Sequence, residues 1–341
     1  MIHLSASRQF DINNIDFTRI FTGFSSDRTG SLQDSPWEEF YQVIWIFNNQ
    51  WFASSFVGSN FSISPDSVAG NLKGYIEQEW TGSEWLETYR IVGFEIDANK
   101  FYSAAISFDA TATEDLLKEL LSENITVYSS SFDDNIMTFD GNDIIYIFSG
   151  SNTIDAGAGQ DTVVYELFRE QISINTTTDD MIFVQKPGDQ VDQLTSVERI
   201  SFSDGSLVFD LDSQHLEFTY RIYAAAYGRT PDEDGLRFWI NTMDHLAEVN
   251  PDLDLFGFLA MEFLGAPEFI TLYGSDPSDM DYVDAMYQNV LARMPDEGGY
   301  EFWVNAMEAG LNRADILVYF AESPENQIQT APDLDDGVWV L

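Results

Sequence analysis

The sequence contains no cysteine, which excludes disulfides, thiolate metal sites and thiol nucleophiles. Basic residues are scarce: 15 Lys and Arg stand against 58 Asp and Glu, for a formal charge of −43. A surface that tracks phosphates needs clustered Lys and Arg, so no nucleic acid partner is expected and anionic lipid headgroups are disfavoured. No run approaches the ~20 apolar residues of a membrane span, so no transmembrane segment is expected. Only three histidines occur, His3, His215 and His245, and none has the H-E-x-x-H spacing of a zinc protease. There is no G-x-S-x-G elbow, Walker loop or dinucleotide fingerprint. Carboxylates are too numerous for a glycosidase pair to be singled out, so no enzyme class is indicated. The N-terminal stretch Met-Ile-His-Leu-Ser-Ala-Ser-Arg-Gln-Phe lacks the charged and apolar regions of a secretory signal peptide.

What is present is apolar material in quantity. Hydrophobic residues make up 44% and aromatics 15%, which argues for packed cores and against wholesale disorder. The acidic surplus fits either simple solubility or a chain that meets divalent cations or high salt outside a cell. At 341 residues two or three domains are expected. The pattern predicts a multidomain α+β chain with a mainly-β N-terminal domain over 1–128 and a short parallel β-roll with its capping segment over 129–212. An all-α domain with an internal duplication follows over 213–330, then a short tail over 331–341.

In the first segment, Gly74–Trp80 and Trp85–Ile96 show partial apolar–polar alternation around Thr-Gly-Ser-Glu, the signature of an antiparallel hairpin. Tyr41–Phe56 is another strand-like run, interrupted at Asn48-Asn49. A helix is expected over Ala112–Ser122, capped by Thr113 and striped by Leu116, Leu117, Leu120 and Leu121. Trp37, Trp45, Trp51, Trp80 and Trp85 crowd this segment and fit either sheet-core packing or a sugar-stacking platform.

From Ser129 to Val164 the sequence has a period of nine. Position four is Phe132, Gly141, Gly150 and Gly159; position six is Asp134, Asp143, Asn152 and Asp161; position eight is Ile136, Ile145, Ile154 and Val163. Each unit reads as a tight turn, for which glycine permits φ > 0, followed by a short strand with one inward aliphatic residue. Successive turns fall on opposite sides of the coil, so units 18 residues apart stack. Asp143 with Asp161 would then clamp one cation, helped by turn carbonyls, and Asp134 with Asn152 a second, weaker one. Asp140, Asn142 and the turn glycines Gly141, Gly150, Gly157 and Gly159 complete the candidate set. All-oxygen ligands in a flexible loop suit calcium rather than zinc or copper. A calcium-free solenoid remnant is the alternative.

This nonapeptide resembles the G-G-x-G-x-D-x-U-x unit of the RTX (repeats-in-toxin) calcium-binding family. It departs from that unit at position one, which is never Gly, and at position two, which is Gly only at Gly157. Residues 189–210 resemble the segment that often closes an RTX roll, through Leu194, Val197, Glu198, Arg199, Phe202, Asp204 and Gly205. Its expected role is to cover the open end of the roll.

Beyond residue 216 a 64-residue repeat emerges, with Tyr223–Met243 matching Tyr287–Met307. Each unit reads as a helix stopped by Pro231 or Pro295, then a second helix capped by Asp232 or Asp296 and carrying Trp239 or Trp303 as a core anchor. Arg229 and Arg293 are expected to tie the turn to a carboxylate. The pair resembles a helical domain of unknown function that accompanies RTX repeats in secreted bacterial proteins, similar in pattern to phycobilisome linker domains. The end of the chain, Asp335-Asp336-Gly-Val-Trp-Val-Leu, resembles an uncleaved type I secretion signal, with a final β-strand as the alternative. Together the resemblances imply a secreted bacterial surface, matrix or adhesion protein whose roll folds on extracellular calcium, with type I export machinery and a glycan or matrix protein as partners. A polysaccharide-binding lectin, or an enzyme acting on polysaccharide through the aromatic N-terminal domain, is the alternative.

Overall fold

The computed structural model describes residues 2–11, 15, 17, 24–31, 39–47, 49–64, 67–107, 109–177, 181–211, 213–334 and 336–341. Trp37, Asn48 and Asp335, named above, lie outside these residues. The chain is multidomain α+β and parts into two compact units, Met1–Ser203 and Asp204–Leu341.

The first unit opens with β1 (Ile2–Ala6), β2 (Phe24–Ser31), β3 (Glu39–Phe47), β4 (Gln50–Ser64), β5 (Ser67–Trp80) and β6 (Trp85–Asp97). Strands β2 to β6 form an antiparallel meander, and β6 pairs antiparallel with β1. The expected hairpin is present, with Trp80 opposite Trp85. Its turn is closed by the Thr81 N–H on the Glu84 carbonyl at 2.9 Å. Two helices follow, α1 (Ala98–Ile106) and α2 (Ala110–Leu120). Phe101 of α1 packs on Phe17 and Phe56, with ring centroids 4.2 and 4.9 Å away, and this aromatic cluster anchors the sheet core. Leu116, Leu117, Leu120 and Leu121 are buried as the stripe predicts. The cap is not Thr113. Asp109 accepts the Thr111 N–H at 3.0 Å, because a carboxylate in extended backbone is a stronger N-cap acceptor than a hydroxyl already inside the helix.

The roll continues the same sheet. One wall is built from parallel β7 (Ile125–Tyr128), β9 (Ile144–Ile147), β11 (Thr162–Tyr165) and β15 (Arg199–Ser201). The other is built from parallel β8 (Asn135–Met137), β10 (Thr153–Asp155) and β14 (Gln190–Thr195). β1 pairs in parallel with β7, so the segments 1–128 and 129–203 share one sheet. Between β11 and β14 the chain makes β12 (Ser173–Thr176) and β13 (Ile182–Lys186), which extend the second wall in antiparallel pairing. The aliphatics Ile136, Ile145, Ile154 and Val163 are at most 1% exposed and fill the interior. Leu194 and Ile200 are fully buried with them. The expected capping segment covers the open edges of β10 and β11 by forming a last coil itself, through β14 and β15.

In the second unit, β16 (Ser206–Val208) precedes α3 (Leu216–Tyr227), α4 (Glu233–Val249), α5 (Leu255–Gly265), α6 (Pro267–Tyr273), α7 (Asp279–Val290), α8 (Glu297–Glu308), α9 (Arg313–Ala321) and α10 (Pro324–Thr330). The duplication is structural: α3–α6 corresponds to α7–α10. Asp232 and Asp296 cap α4 and α8 by accepting the Gly235 and Gly299 N–H groups at 2.8 and 2.7 Å. Arg229 makes a two-pronged pair with Glu268 and Arg293 with Glu325, each Nε lying 2.8 Å from its carboxylate. Trp239 and Trp303 pack against Phe263 and Phe320 in the core. The prolines are not the helix stops. α3 ends at Gly228 with φ 65°, and the matching Ala292 takes φ 51°. The end of the chain folds as β17 (Val338–Val340), antiparallel to β16. Val338 and Val340 are buried. Among the described residues no single helix is long and apolar enough to cross a membrane.

Candidate metal centre

The 18-residue stacking predicted from the period appears as two hydrogen-bond ladders running in opposite directions. At position five the side chain accepts from the coil ahead: Asn124 Oδ1 takes the Asn142 N–H at 2.8 Å, and Asn142 Oδ1 takes that of Gln160 at 3.0 Å. Asp133 does the same for Ser151 at 2.7 Å. At position six the side chain accepts from the coil behind. Asp143 Oδ1 takes the Ile125 N–H at 2.9 Å and Asp161 Oδ1 that of Asp143 at 2.8 Å. Every turn is thus pinned to its neighbour through groups that the strand ladder leaves over.

The turns of the second and fourth units are the tightest. Gly157 and Gly159 have φ of 88° and 149°, and a Cβ on either would lie 1.6 Å from the Phe139 carbonyl or 1.8 Å from that of Gly141. The stack therefore requires glycine at both positions, for conformation and for space. At position two of the second unit the same left-handed conformation is held by Phe139, with φ 68°. A bulky aromatic in that region is strained. The backbone keeps the turn at a position where the sequence has no glycine.

The position-six columns end differently on the two sides of the coil. On one side, Asp134 accepts from the Phe10 N–H at 2.6 Å, the Ser130 N–H at 2.7 Å and the Ser130 hydroxyl at 2.8 Å. Asn152 Oδ1 takes the Asp134 N–H at 2.9 Å, and Asn152 donates both its backbone and its side-chain N–H to Asp192. Asp192, fully buried, is then paired with the buried Lys186 ammonium at 2.7 Å and accepts from the Tyr165 hydroxyl at 2.8 Å. Every carboxylate oxygen of this column is satisfied; Lys186 meets the charge of Asp192, and Asp134 is held by hydrogen bonds alone, its carboxyl raised by burial. The expected weaker cation site at Asp134 and Asn152 is closed by these internal bonds.

On the other side Asp143, Asp161 and Glu198 form the column, with Glu198 Oε2 taking the Asp161 N–H at 2.8 Å. Asp143 and Asp161 are 0% exposed, and the Oδ2 of each has no hydrogen-bond partner. Among the described residues neither forms an ion pair. Burial raises both carboxyls above their ordinary range, against the N–H bond that each accepts and, for Asp143, against the Thr138 hydroxyl as well. For Asp161 burial and the Asp143 and Glu198 carboxylates push it up to about 7. A buried carboxylate oxygen without a donor costs of the order of 1–3 kcal/mol or more. The pair carries this cost unless it holds a proton or meets a cation.

The remaining candidates surround this edge. Asp140 bridges to Ala158 in the neighbouring turn, and Asn142 serves the position-five ladder rather than a free ligand position. Gly141 has φ 121° and Gly150 stacks on the Phe132 carbonyl. Among the described residues no group of three or more His, Cys, Asp or Glu side chains is gathered as a ready metal cage. A cation here would take Asp143 and Asp161 Oδ2 and draw its other oxygens from turn carbonyls, a donor set of the hard type calcium accepts. Sequence periodicity misses Asp192 and Glu198 because the β12–β13 excursion breaks the 18-residue spacing. A local signal survives: each stands two residues before a buried aliphatic, Leu194 and Ile200, as Asp143 stands before Ile145.

A family model described as a domain of unknown function, DUF4214, matches residues 260–330, the second half of the helical duplication with the end of the first. Among solved structures the chain is similar to the extracellular lipase LipA from Serratia marcescens, with 14% identity and a TM-score of 0.23. That similarity covers 24% of this chain and 13% of the lipase. No curated protein matches the chain.

Proposed function

We propose that the first unit is a calcium-ordered module of an extracellular bacterial surface, matrix or adhesion protein, with the cation bound along the Asp143–Asp161 edge. The observation that carries this reading is the pair of fully buried carboxylate oxygens without a hydrogen-bond partner, with which no cationic side chain among the described residues forms an ion pair. Bound calcium supplies the positive charge that Lys186 supplies on the opposite edge. Asp143 and Asp161 orient it with one oxygen each while their other oxygens hold the neighbouring N–H groups. Extracellular calcium modules bind at about 10⁻⁴–10⁻³ M, far above cytosolic free calcium. In the cell the edge would stay charged and self-repelling and the roll loose, a state suited to export through a narrow type I channel. Outside, calcium would close it. The helical unit carries its own aromatic core and caps and holds its fold without the metal.

Calorimetry of the full chain titrated with calcium, and with magnesium as the control, tests this directly. The expected result is saturable calcium binding with a gain in β circular dichroism, lost in Asp143→Ala with Asp161→Ala. Calcium binding that survives in that double variant removes the assignment.

A further inference from the structure

The meander β3–β6 has two faces. One carries Phe56 and Tyr75 against Phe101 of α1 and is core. On the other, the register places Ile46 opposite Trp51 and Trp80 opposite Trp85, and the pairing of Phe52 with Glu79 sets Trp51 opposite Trp80. Opposed residues in antiparallel strands project to the same face, so one row crosses four strands, ~14 Å at ~4.8 Å per strand. Trp51 is 41% and Ile46 38% exposed. Trp80 and Trp85 are half-buried, with ring centroids 5.4 Å apart. One row inward on the same face, Gln78 stands opposite Glu87, and Arg90 holds the Glu87 carboxylate through Nε at 2.6 Å and through Nη2.

We infer that this face binds a neutral polysaccharide. A sugar ring presents a polarised C–H face and a rim of hydroxyls. The indoles offer the negative π-faces that such C–H groups stack on, and Gln78 with the Glu87–Arg90 pair offers donors and acceptors for the rim. Charge selects among occupants: a chain of −43 repels polyanionic glycans and a second copy of itself. A neutral glycan carries no such penalty. The inference rests on the meander alone and is independent of the cation reading.

The test titrates the full chain, in millimolar calcium, with cellohexaose, xylohexaose and laminarihexaose, using polygalacturonate as the anionic control. At least one neutral hexasaccharide is expected to shift tryptophan fluorescence saturably, and polygalacturonate to leave it unchanged. Trp51→Ala and Trp85→Ala should each weaken binding about tenfold, a loss near 1.4 kcal/mol. Trp51→Tyr should keep most of it while far-UV circular dichroism stays at wild type. Three results overturn the inference: no binding of any neutral hexasaccharide at millimolar concentration, affinity unchanged in both alanine variants, or a wild-type dimer by light scattering that Trp51→Ala converts to monomer.

Discussion

The two edges of the roll solve one problem in two ways. Each stacks acidic position-six side chains inside a protein, and each must answer the charge. On the Asp134–Asn152–Asp192 edge an amide replaces one acid, and Lys186, delivered by β13, neutralises the last. On the Asp143–Asp161–Glu198 edge no cationic side chain among the described residues pairs with the two buried acids, and two oxygens are left without partners. The same repeat therefore yields one edge whose carboxylate oxygens are all satisfied from within and one that leaves two buried carboxylate oxygens without a partner. Column identity alone does not set the environment of these acids; what lies at the end of the column decides.

The largest effect that would break this contrast is expected from Lys186→Met. It leaves Asp192 buried without its partner, which costs about 3–5 kcal/mol. Urea denaturation of the full chain should show the first unit losing that stability at any calcium concentration. Recovery by calcium would mean that the two edges are interchangeable.

Next comes Asp143→Asn with Asp161→Asn, which copies onto the open edge the residue found at Asn152. Without calcium this variant should be more stable than wild type above pH 7, and the calcium-dependent gain, roughly 1–2 kcal/mol at tenfold excess over Kd, should vanish. Thermal melts with and without chelator read both effects.

The pH dependence follows from the raised Asp161 carboxyl, at about 7 when folded against about 4 unfolded. The folded state then binds more protons, so stability falls as pH rises. The contribution is complete below about pH 4 and is lost through about pH 7. Chelated protein should thus melt progressively lower between those values, and calcium should flatten the profile by taking the proton's place.

The smallest effects concern backbone strain. Phe139→Gly and Ala292→Gly each place glycine where φ is 68° or 51°, and each should add about 1 kcal/mol or less by denaturant midpoint. Phe139→Gly should act on the first unit only and Ala292→Gly on the second.

Much of this arrangement is legible in the sequence because it repeats. The nine-residue period gives the strands and the buried aliphatics, and the 64-residue period gives the Asp caps and the Arg–Glu clamps. What escapes is whatever a repeat cannot encode. Lys186 and Tyr165 meet Asp192 only after a hairpin excursion, so no spacing announces them. Asp109 outcompetes Thr113 as a cap through chemistry decided at one position. Phe139 hides a turn conformation behind a residue that normally avoids it, and Gly228 ends α3 three residues before the proline that the sequence offers as the stop.

One further consequence concerns the order of events in time. β1 lies between β6 and β7, with Leu4 beside Ile91 on one side and Val127 on the other, and the Phe10 N–H closes the first coil through Asp134. Strand β1 is thus joined to residues that lie 83 to 123 positions downstream. Pairings of such long separation are slow to form, because the intervening chain must be closed before any contact rewards it. Under the proposed calcium role, calcium added to a chain with β1 already docked should order the roll in a fast phase, whereas calcium added to a fully unfolded chain should wait for β1 to find its slot.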